Sequence, residues 1–275
     1  MNITVGGIEL PCKTLTFSGG EVQVRLDTPG RNIYNRALDL GGHFVKITKN
    51  VNSSAALMEV LLATDAVRRM FLGCYVDLVM PYVPYGRQDR VCYPGEALSL
   101  RVFTDIINAQ IYESVTIWDC HSDVSLALLD RVIHRTVDHF VPRLNNVVVV
   151  APDRGAVKRA ELAAQAIRAP VVYADKHRDP QTGAITCVTV PNDCVGAGKE
   201  DFFIVDDICD GGRTFVELAK TLRPLTSGKI FLYVTHGIFS ADFYELAKVI
   251  DKIYVANLFE PWVRRKPALV EVVGS

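Results

Sequence analysis

The chain has 275 residues, 49% of them hydrophobic and 22% charged, and 30 Lys and Arg against 31 Asp and Glu leave a formal net charge of −1. That length suits two domains or one large α/β unit, and the apolar fraction suffices for a sizeable core. The balanced charge argues against a nucleic-acid coat, which needs a broad basic surface, but leaves room for a phosphorylated small molecule held by a few local cations.

Short β-branched runs alternate with longer apolar-periodic stretches, the pattern of βα units around a parallel sheet. In the first half, strands are expected at Gln23–Leu26, Phe44–Ile47, Val76–Pro81 and Val115–Trp118, with helices near Ser54–Phe71, Ser99–Ala109 and Val124–Leu129. The second half reads as strands at Val147–Ala151, Val171–Ala174, Phe202–Val205 and Ile230–Thr235. Its helices are expected near Ala156–Ile167, Thr214–Leu222 and Ala241–Val249. Near-continuous apolar strands such as Val147 to Val150 suit a sheet covered on both faces. The stretch Asp138–Asn146, with Pro142 and an Asn-Asn pair, is the expected boundary, giving domains over 1–138 and 139–275.

Seven cysteines are scattered without a Cys-x-x-Cys pair, so metal-finger spacing is absent and a disulfide framework is not expected. The first residues lack a signal-peptide layout, and no apolar run approaches the ~18 residues of a membrane helix. A cytoplasmic protein with reduced thiols and no membrane partner is expected.

In open α/β sheets ligands sit at the carboxyl ends of strands, so the residues just after each strand matter most. The strongest signal runs from Ile204 to Thr214. An apolar strand is expected to end at Asp206 and Asp207, and Asp210, Gly211, Gly212, Arg213 and Thr214 lead into a helix. Glycines let backbone approach a phosphate, and the helix start offers unpaired N–H groups. The two acids can hold ribose hydroxyls or a metal ion. The plainer alternative is an ordinary turn capped by Asp210 or Thr214.

This segment resembles the phosphoribosyl-diphosphate-binding motif shared by phosphoribosyltransferases and the ribose-phosphate diphosphokinases (PRPP synthetases). Further segments resemble the second family. Phe17-Ser18-Gly19-Gly20-Glu21 is similar to its adenine-binding element, and Pro81 to Arg90 to its ATP-binding loop. Asp119-Cys120-His121 is similar to the segment bearing its metal-binding histidine, and Ala151 to Gly155 to that bearing a second acidic contact. Asp175-Lys176-His177-Arg178 resembles the start of its catalytic loop, and Thr235 to Ser240 a later strand end. The likeness covers about residues 17 to 257 in the family's order.

The resemblance implies two doubly wound parallel-sheet α/β domains of phosphoribosyltransferase type, with the active site between them. It implies a Mg²⁺-dependent enzyme that moves the β,γ-diphosphate of ATP to the C1 hydroxyl of ribose 5-phosphate and releases AMP. Phe17, Glu21, Arg87, Gln88, Asp89 and Arg90 would then bind ATP. His121 and Asp153 would hold the metal, and Asp206, Asp207 and residues 210–214 the sugar phosphate. Lys176 and Arg178, two positions apart on an extended segment, can reach one ligand and would stabilise the transferring phosphate. A homo-oligomer with a shared active site is also implied.

The chain departs from the family's pattern at three points. Gly19 stands where the adenine element usually has Asp, which removes a hydrogen-bond acceptor. In the 5-phosphate loop, usually Asp-Thr-Gly-Gly-Thr, Gly211 replaces a threonine and Arg213 a glycine. Less bulk and a guanidinium would suit a larger 5′ substituent, such as the diphosphate of ADP-ribose, giving ADP-ribose 1-diphosphate for NAD synthesis. The chain also reads as a short form, mainly before Phe17 and after Asn257. Two further alternatives are a phosphoribosyltransferase and a non-catalytic regulatory subunit.

Overall fold

The computed structural model describes residues 1–27, 44–178, 185–189 and 198–274, with backbone alone for 175–178 and 185–189. Two units, Met1–Arg135 and Thr136–Ser275, are each organised around their own six-stranded sheet. Both are doubly wound parallel-sheet α/β structures.

In the first unit β1 (Asn2–Val5), β2 (Ile8–Glu9), β5 (Phe44–Thr48), β6 (Tyr75–Val79), β7 (Ser114–Trp118) and β8 (Val132–Arg135) assemble in the order β2-β1-β5-β6-β7-β8. The pairs from β5 to β8 are parallel, whereas β1 runs antiparallel to both β2 and β5. A separate hairpin, β3 (Cys12–Thr16) with β4 (Val22–Leu26), carries residues 17–21 at its tip. Helix α1 (Ser54–Met70) starts where the Ser53 hydroxyl accepts the Ala56 N–H at 3.1 Å. Its Ala56, Val60, Ala63, Thr64 and Val67 form one buried stripe, so helical periodicity and core packing agree. A turn with Gly73 at φ 75° then redirects the chain into β6. Helices α2 (Ser99–Asn108) and α3 (Val124–Leu128) complete the connections.

The strands of the second unit are β9 (Val147–Ala151), β10 (Val171–Tyr173), β13 (Asp201–Cys209), β14 (Ile230–Gly237), β15 (Lys252–Leu258) and β16 (Val270–Val272). They are parallel throughout, in the order β10-β9-β13-β14-β15-β16. Every residue of β9 and β14 is buried, as the apolar run of β9 requires, and β14 buries Thr235 and His236 along with its apolar residues. Helix α4 (Val157–Ile167) joins β9 to β10, and α5 (Arg213–Leu222) joins β13 to β14. The chain leaves β9 toward one edge and returns to β13 to build toward the other. The β9/β13 boundary is therefore the topological switch point, where open sheets bind ligands at their carboxyl ends. A two-stranded ladder, β11 (Asp175–Arg178) with β12 (Ile185–Thr189), pairs Lys176 with Val188 and shifts register between His177 and Arg178.

Two expectations are corrected. β13 does not stop at Val205 but runs through Asp206, Asp207 and Ile208 to Cys209, paired with β14 as far as Gly237. The helix expected over Ala241–Val249 is a 3-10 turn at Leu246–Lys248. Phe239 and Asp242 have φ of 49° and 57°, and the Asp242 carboxylate accepts the Tyr244 N–H at 2.6 Å, so a helix cannot propagate through them. Phe239, Phe243 and Trp262 pack ring on ring there instead, and the Trp262 indole N–H donates to the Phe239 carbonyl. A short helix, α6 (Trp262–Arg265), comes after the cis Glu260–Pro261 peptide. No helix among the described residues is long and apolar enough to cross a membrane.

Candidate active site

In the first unit the chemistry-bearing loops lie after β6 and β7, which are neighbours in the sheet. The loop after β6 is pressed onto the loop after β7. A Cβ on Gly86 would lie 3.6 Å from the His121 Cβ, ordinary contact across the two loops, and a tighter 3.3 Å from the Val83 carbonyl oxygen of its own loop. Asp89 ties the two loops together. Its Oδ2 accepts the Ser122 hydroxyl at 2.7 Å and its Oδ1 faces the Arg90 Nε at 3.2 Å. The Ser122 hydrogen bond, helped by the Arg90 charge, holds Asp89 below the usual carboxylate range against the opposing effect of burial. Both carboxylate oxygens thus have protein partners, so Asp89 acts as a tie between loops. Arg87, Gln88 and Arg90 are exposed, as is His121.

Behind His121, Asp119 adopts φ 34°, and the Cys120 N–H donates to Nε2 of His134 on β8 at 3.2 Å. That bond places the proton of a neutral His134 on Nδ1. A cavity of about 260 Å³ lined by Ser53, Leu57, Tyr82, Tyr85 and Phe103 takes Tyr82 and Tyr85 from the Pro81–Arg90 segment but none of Arg87 to Arg90.

Phe17 stands at the hairpin tip and is 55% exposed. The tip closes with the Phe17 N–H on the Glu21 carbonyl at 2.9 Å and the Gly20 N–H on the Phe17 carbonyl at 2.9 Å. The Glu21 carboxylate lies 2.6 Å from where a Cβ of residue 19 would be. An acidic side chain at Gly19 would therefore displace the Glu21 carboxylate.

In the second unit the residues gather at the switch point. Asp206 and Asp207 sit inside β13 near its carboxyl end, and Asp207 is buried. Asp206 Oδ1 accepts the Asp207 N–H at 2.9 Å, and Asp207 Oδ1 accepts the Ile208 N–H at 2.8 Å. Arg159, from the first turn of α4, faces both acids. Its Nη1 is 3.5 Å from Asp206 Oδ1 and its Nη2 is 3.5 Å from Asp207 Oδ2. Burial first, and then the Asp207 charge, push the Asp206 carboxyl well above its ordinary range, while Arg159 opposes both.

Beyond Cys209, the Asp210 Oδ1 accepts the Ser240 hydroxyl at 2.6 Å, and its carbonyl accepts the Ser240 N–H. Gly212, at φ 74°, rather than Asp210 or Thr214, occupies the position before α5, and no side chain caps the helix. Its missing Cβ lets Leu246 pack at 3.1 Å from that point. At Gly211 no heavy atom lies within 4 Å of an added Cβ. Arg213 is exposed at the first residue of α5 and Thr214 is half-buried. Across the switch point Asp153 caps the turn Arg154–Ala156, its Oδ1 accepting the Gly155 N–H at 3.0 Å. Asp153 lines a shallow cavity of about 200 Å³ with Arg154, Val157, Tyr173 and Ala174.

Residues 5–110 match the family described as the N-terminal domain of ribose phosphate pyrophosphokinase, and residues 125–245 match the phosphoribosyl transferase domain. A ribose-phosphate pyrophosphokinase of Mycoplasma genitalium is 31% identical over 273 residues, which cover 94% of this chain and 78% of that one. The chain belongs to the ribose-phosphate pyrophosphokinase family. It is thus an enzyme of diphosphotransferase type, with an α/β fold of phosphoribosyltransferase kind. The Thermococcus kodakarensis pyrophosphokinase is 32% identical over 227 residues, covering 79% of this chain and 78% of its own. The crystal structure of phosphoribosylpyrophosphate synthetase from Mycobacterium smegmatis shares the fold, with a TM-score of 0.72 and 24% identity over 96% of this chain and 85% of that one.

Against this pyrophosphokinase fold, the sequence-derived residues form two groups. Arg87 to Arg90 lie on the loop that Asp89 ties to the loop bearing His121 in the first unit. Asp206, Asp207, Asp210 and Gly211 to Thr214 stand with Asp153 at the switch point of the second. Phe17 and Glu21 project on their own hairpin. Lys176 and Arg178 lie on β11, and their side chains fall outside the described residues. Sequence reasoning missed Arg159 and Ser122, and gave Ser240 only as the end of the Thr235–Ser240 segment. For Arg159 a signal existed: a cation in the first turn of a helix opposes the helix dipole and calls for nearby carboxylates.

Proposed function

We propose that the chain catalyses attack of the C1 hydroxyl of ribose 5-phosphate on the β-phosphorus of ATP, forming the sugar diphosphate and releasing AMP. The new bond joins the C1 oxygen to Pβ, the Pα–O–Pβ bridge breaks toward AMP, and the hydroxyl proton passes to solvent. The observation carrying this reading is the buried Asp206–Asp207 pair beside the Gly211–Gly212 turn that opens α5 at the switch point. The acids suit ribose hydroxyls, and the helix start suits the 5-phosphate. Membership of the pyrophosphokinase family and the presence of both its domains favour diphosphotransfer over a plain phosphoribosyltransferase.

Phosphoryl transfer of this kind needs positioning and charge neutralisation more than covalent help. Arg87, Gln88 and Arg90 would hold the ATP phosphates and ribose, Asp89 would position their loop, and Phe17 and Glu21 would take the adenine. The hairpin bearing these last two suits a homo-oligomer that shares its active site. Lys176 and Arg178 would face the transferring phosphate. Among the described residues no three of His, Cys, Asp and Glu gather closely enough to hold a metal ion by themselves. That suits Mg²⁺, which takes one or two protein ligands and completes its shell with substrate phosphates and water. His121 in the first unit and Asp153 in the second are the residues that would each offer Mg²⁺ a ligand, and when bound the metal would neutralise phosphate charge.

A second reading, with ADP-ribose as acceptor, is favoured by the open space at Gly211 beside the exposed Arg213. A 5′ diphosphate is bulkier than a monophosphate and carries more charge for a guanidinium to meet. AMP release from Mg-ATP, measured with ribose 5-phosphate and ADP-ribose in parallel, tests both. Faster turnover of ribose 5-phosphate supports the first reading and faster turnover of ADP-ribose the second. AMP from neither acceptor refutes diphosphotransfer.

A further inference from the structure

We infer that Arg159 is the positioning residue of the Asp206–Asp207 pair, aiming two adjacent carboxylates at the sugar hydroxyls. The inference rests on the sugar-binding reading of that pair given above.

Neighbouring residues of a β-strand direct their side chains to opposite faces, so two consecutive acids do not converge on one ligand unaided. Here each carboxylate folds along the strand, Asp206 onto the Asp207 N–H and Asp207 onto the Ile208 N–H. One guanidinium then meets them both, Nη1 toward Asp206 and Nη2 toward Asp207, at 3.5 Å each. This distance exceeds the ~2.7–2.9 Å of a tight charge-assisted bond, so the fork steers by charge and shape and leaves the oxygens able to accept from a ligand.

The environment makes the cation necessary. The side chains of Arg159, Asp206 and Asp207 are only 11%, 17% and 6% exposed, and two like charges side by side with so little water favour a shared proton over two anions. A protonated acid would lose an acceptor for a ribose hydroxyl. The guanidinium opposes that tendency, although burial and the Asp207 charge still leave Asp206 above its ordinary range until a ligand meets the pair.

Helix placement supports the same role. Arg159 is the third residue of α4, where the dipole disfavours a cation and Asp or Glu is the usual occupant. A largely buried cation there is tolerated because α4 packs over β9 and β13 and brings the side chain above the acids. Lysine would keep the charge, but its single ammonium cannot span two carboxylates.

The test is steady-state AMP release by the full chain for wild type, Arg159→Lys and Arg159→Gln, each checked by thermal melting. Arg159→Gln should raise KM for the sugar phosphate ~10- to 100-fold, the scale on which outer partners of a ligand set act, and leave KM for ATP within about twofold. Arg159→Lys should recover part of that loss and melt close to wild type. If Arg159→Gln does not fold, Arg159→Lys alone decides, because a folded lysine variant with wild-type KM for the sugar overturns the inference. Equal rises in both KM values would mark a structural role and overturn it too. A wild-type chain releasing no AMP with either sugar would remove the sugar-binding reading and this inference with it, whereas active wild type with unaltered variants removes the inference alone.

Discussion

Replacing Gly212 by alanine separates the two glycines of the β13–α5 turn. Gly212 has φ 74°, where an L side chain costs ~1–2 kcal/mol. The added Cβ would also lie 3.1 Å from Leu246 Cδ1 and 3.2 Å from its Cγ, and Leu246 is only 3% exposed. Moving that packed leucine by a few tenths of an ångström adds ~1 kcal/mol of overpacking. The total is about 2–3 kcal/mol, which at ~2–4 °C per kcal/mol lowers Tm by ~5–10 °C. Gly211 is the internal control. No heavy atom lies within 4 Å of its added Cβ and its φ is outside the left-handed region. Gly211→Ala should therefore leave stability unchanged or raise it by up to ~1 kcal/mol through the unfolded chain. Thermal unfolding monitored by circular dichroism compares the two variants with wild type. Melting of Gly212→Ala within a degree or so of Gly211→Ala would refute the reasoning, because strain and contact both predict a gap.

Ser122→Ala should remove the hydrogen bond that depresses Asp89, costing about 1 kcal/mol at neutral pH. A carboxyl whose folded pKa is lowered stabilises above its unfolded value and loses that stability as pH falls through the folded one. Urea denaturation midpoints of wild type and variant should accordingly converge in acid, and a constant difference down to about pH 2–3 would contradict the tie. Lys176→Ala should lower kcat for AMP release by ~100- to 1000-fold with the melting curve unchanged, and full activity would displace Lys176 from the transferring phosphate. The double change Gly211→Thr with Arg213→Gly should shift acceptor preference from ADP-ribose toward ribose 5-phosphate, read as the ratio of kcat/KM values. An unchanged ratio would make this loop neutral to specificity.

Much of the fold was legible in the residues. Val147–Ala151 forms the strand expected of it, and Ser54 to Met70 forms α1 because an N-cap serine and a 3.6-residue apolar stripe both mark it. The strands β1, β2, β8 and β16 were not singled out, since short or half-buried strands carry little periodicity beyond general β propensity, and β15, although seven residues long and mostly buried, was not singled out either. Ala241–Val249 misled because its apolar spacing suits a helix, whereas Asp242 in the left-handed region and the Phe239–Phe243–Trp262 stack impose a turn. At the candidate site, the acids and glycines of 206–214 stood out because turn chemistry is local. The guanidinium that faces the acids did not, because it comes from a helix some 50 positions earlier in the chain.

Local pattern alone pointed to the α/β class and the position of the glycine turn, and the likeness of the motifs to a known family pointed to that family. Each of these depends on residue types at short, regular spacing or on the order of motifs along the chain. Arg159 over Asp206 and Asp207, and Ser122 on Asp89 across 33 positions, came from packing instead. Such partners meet because a helix crosses back over its sheet or two neighbouring strands end side by side. The burial that pushes Asp206 up, and the Ser122 hydrogen bond that holds Asp89 down, exist only once those elements have met.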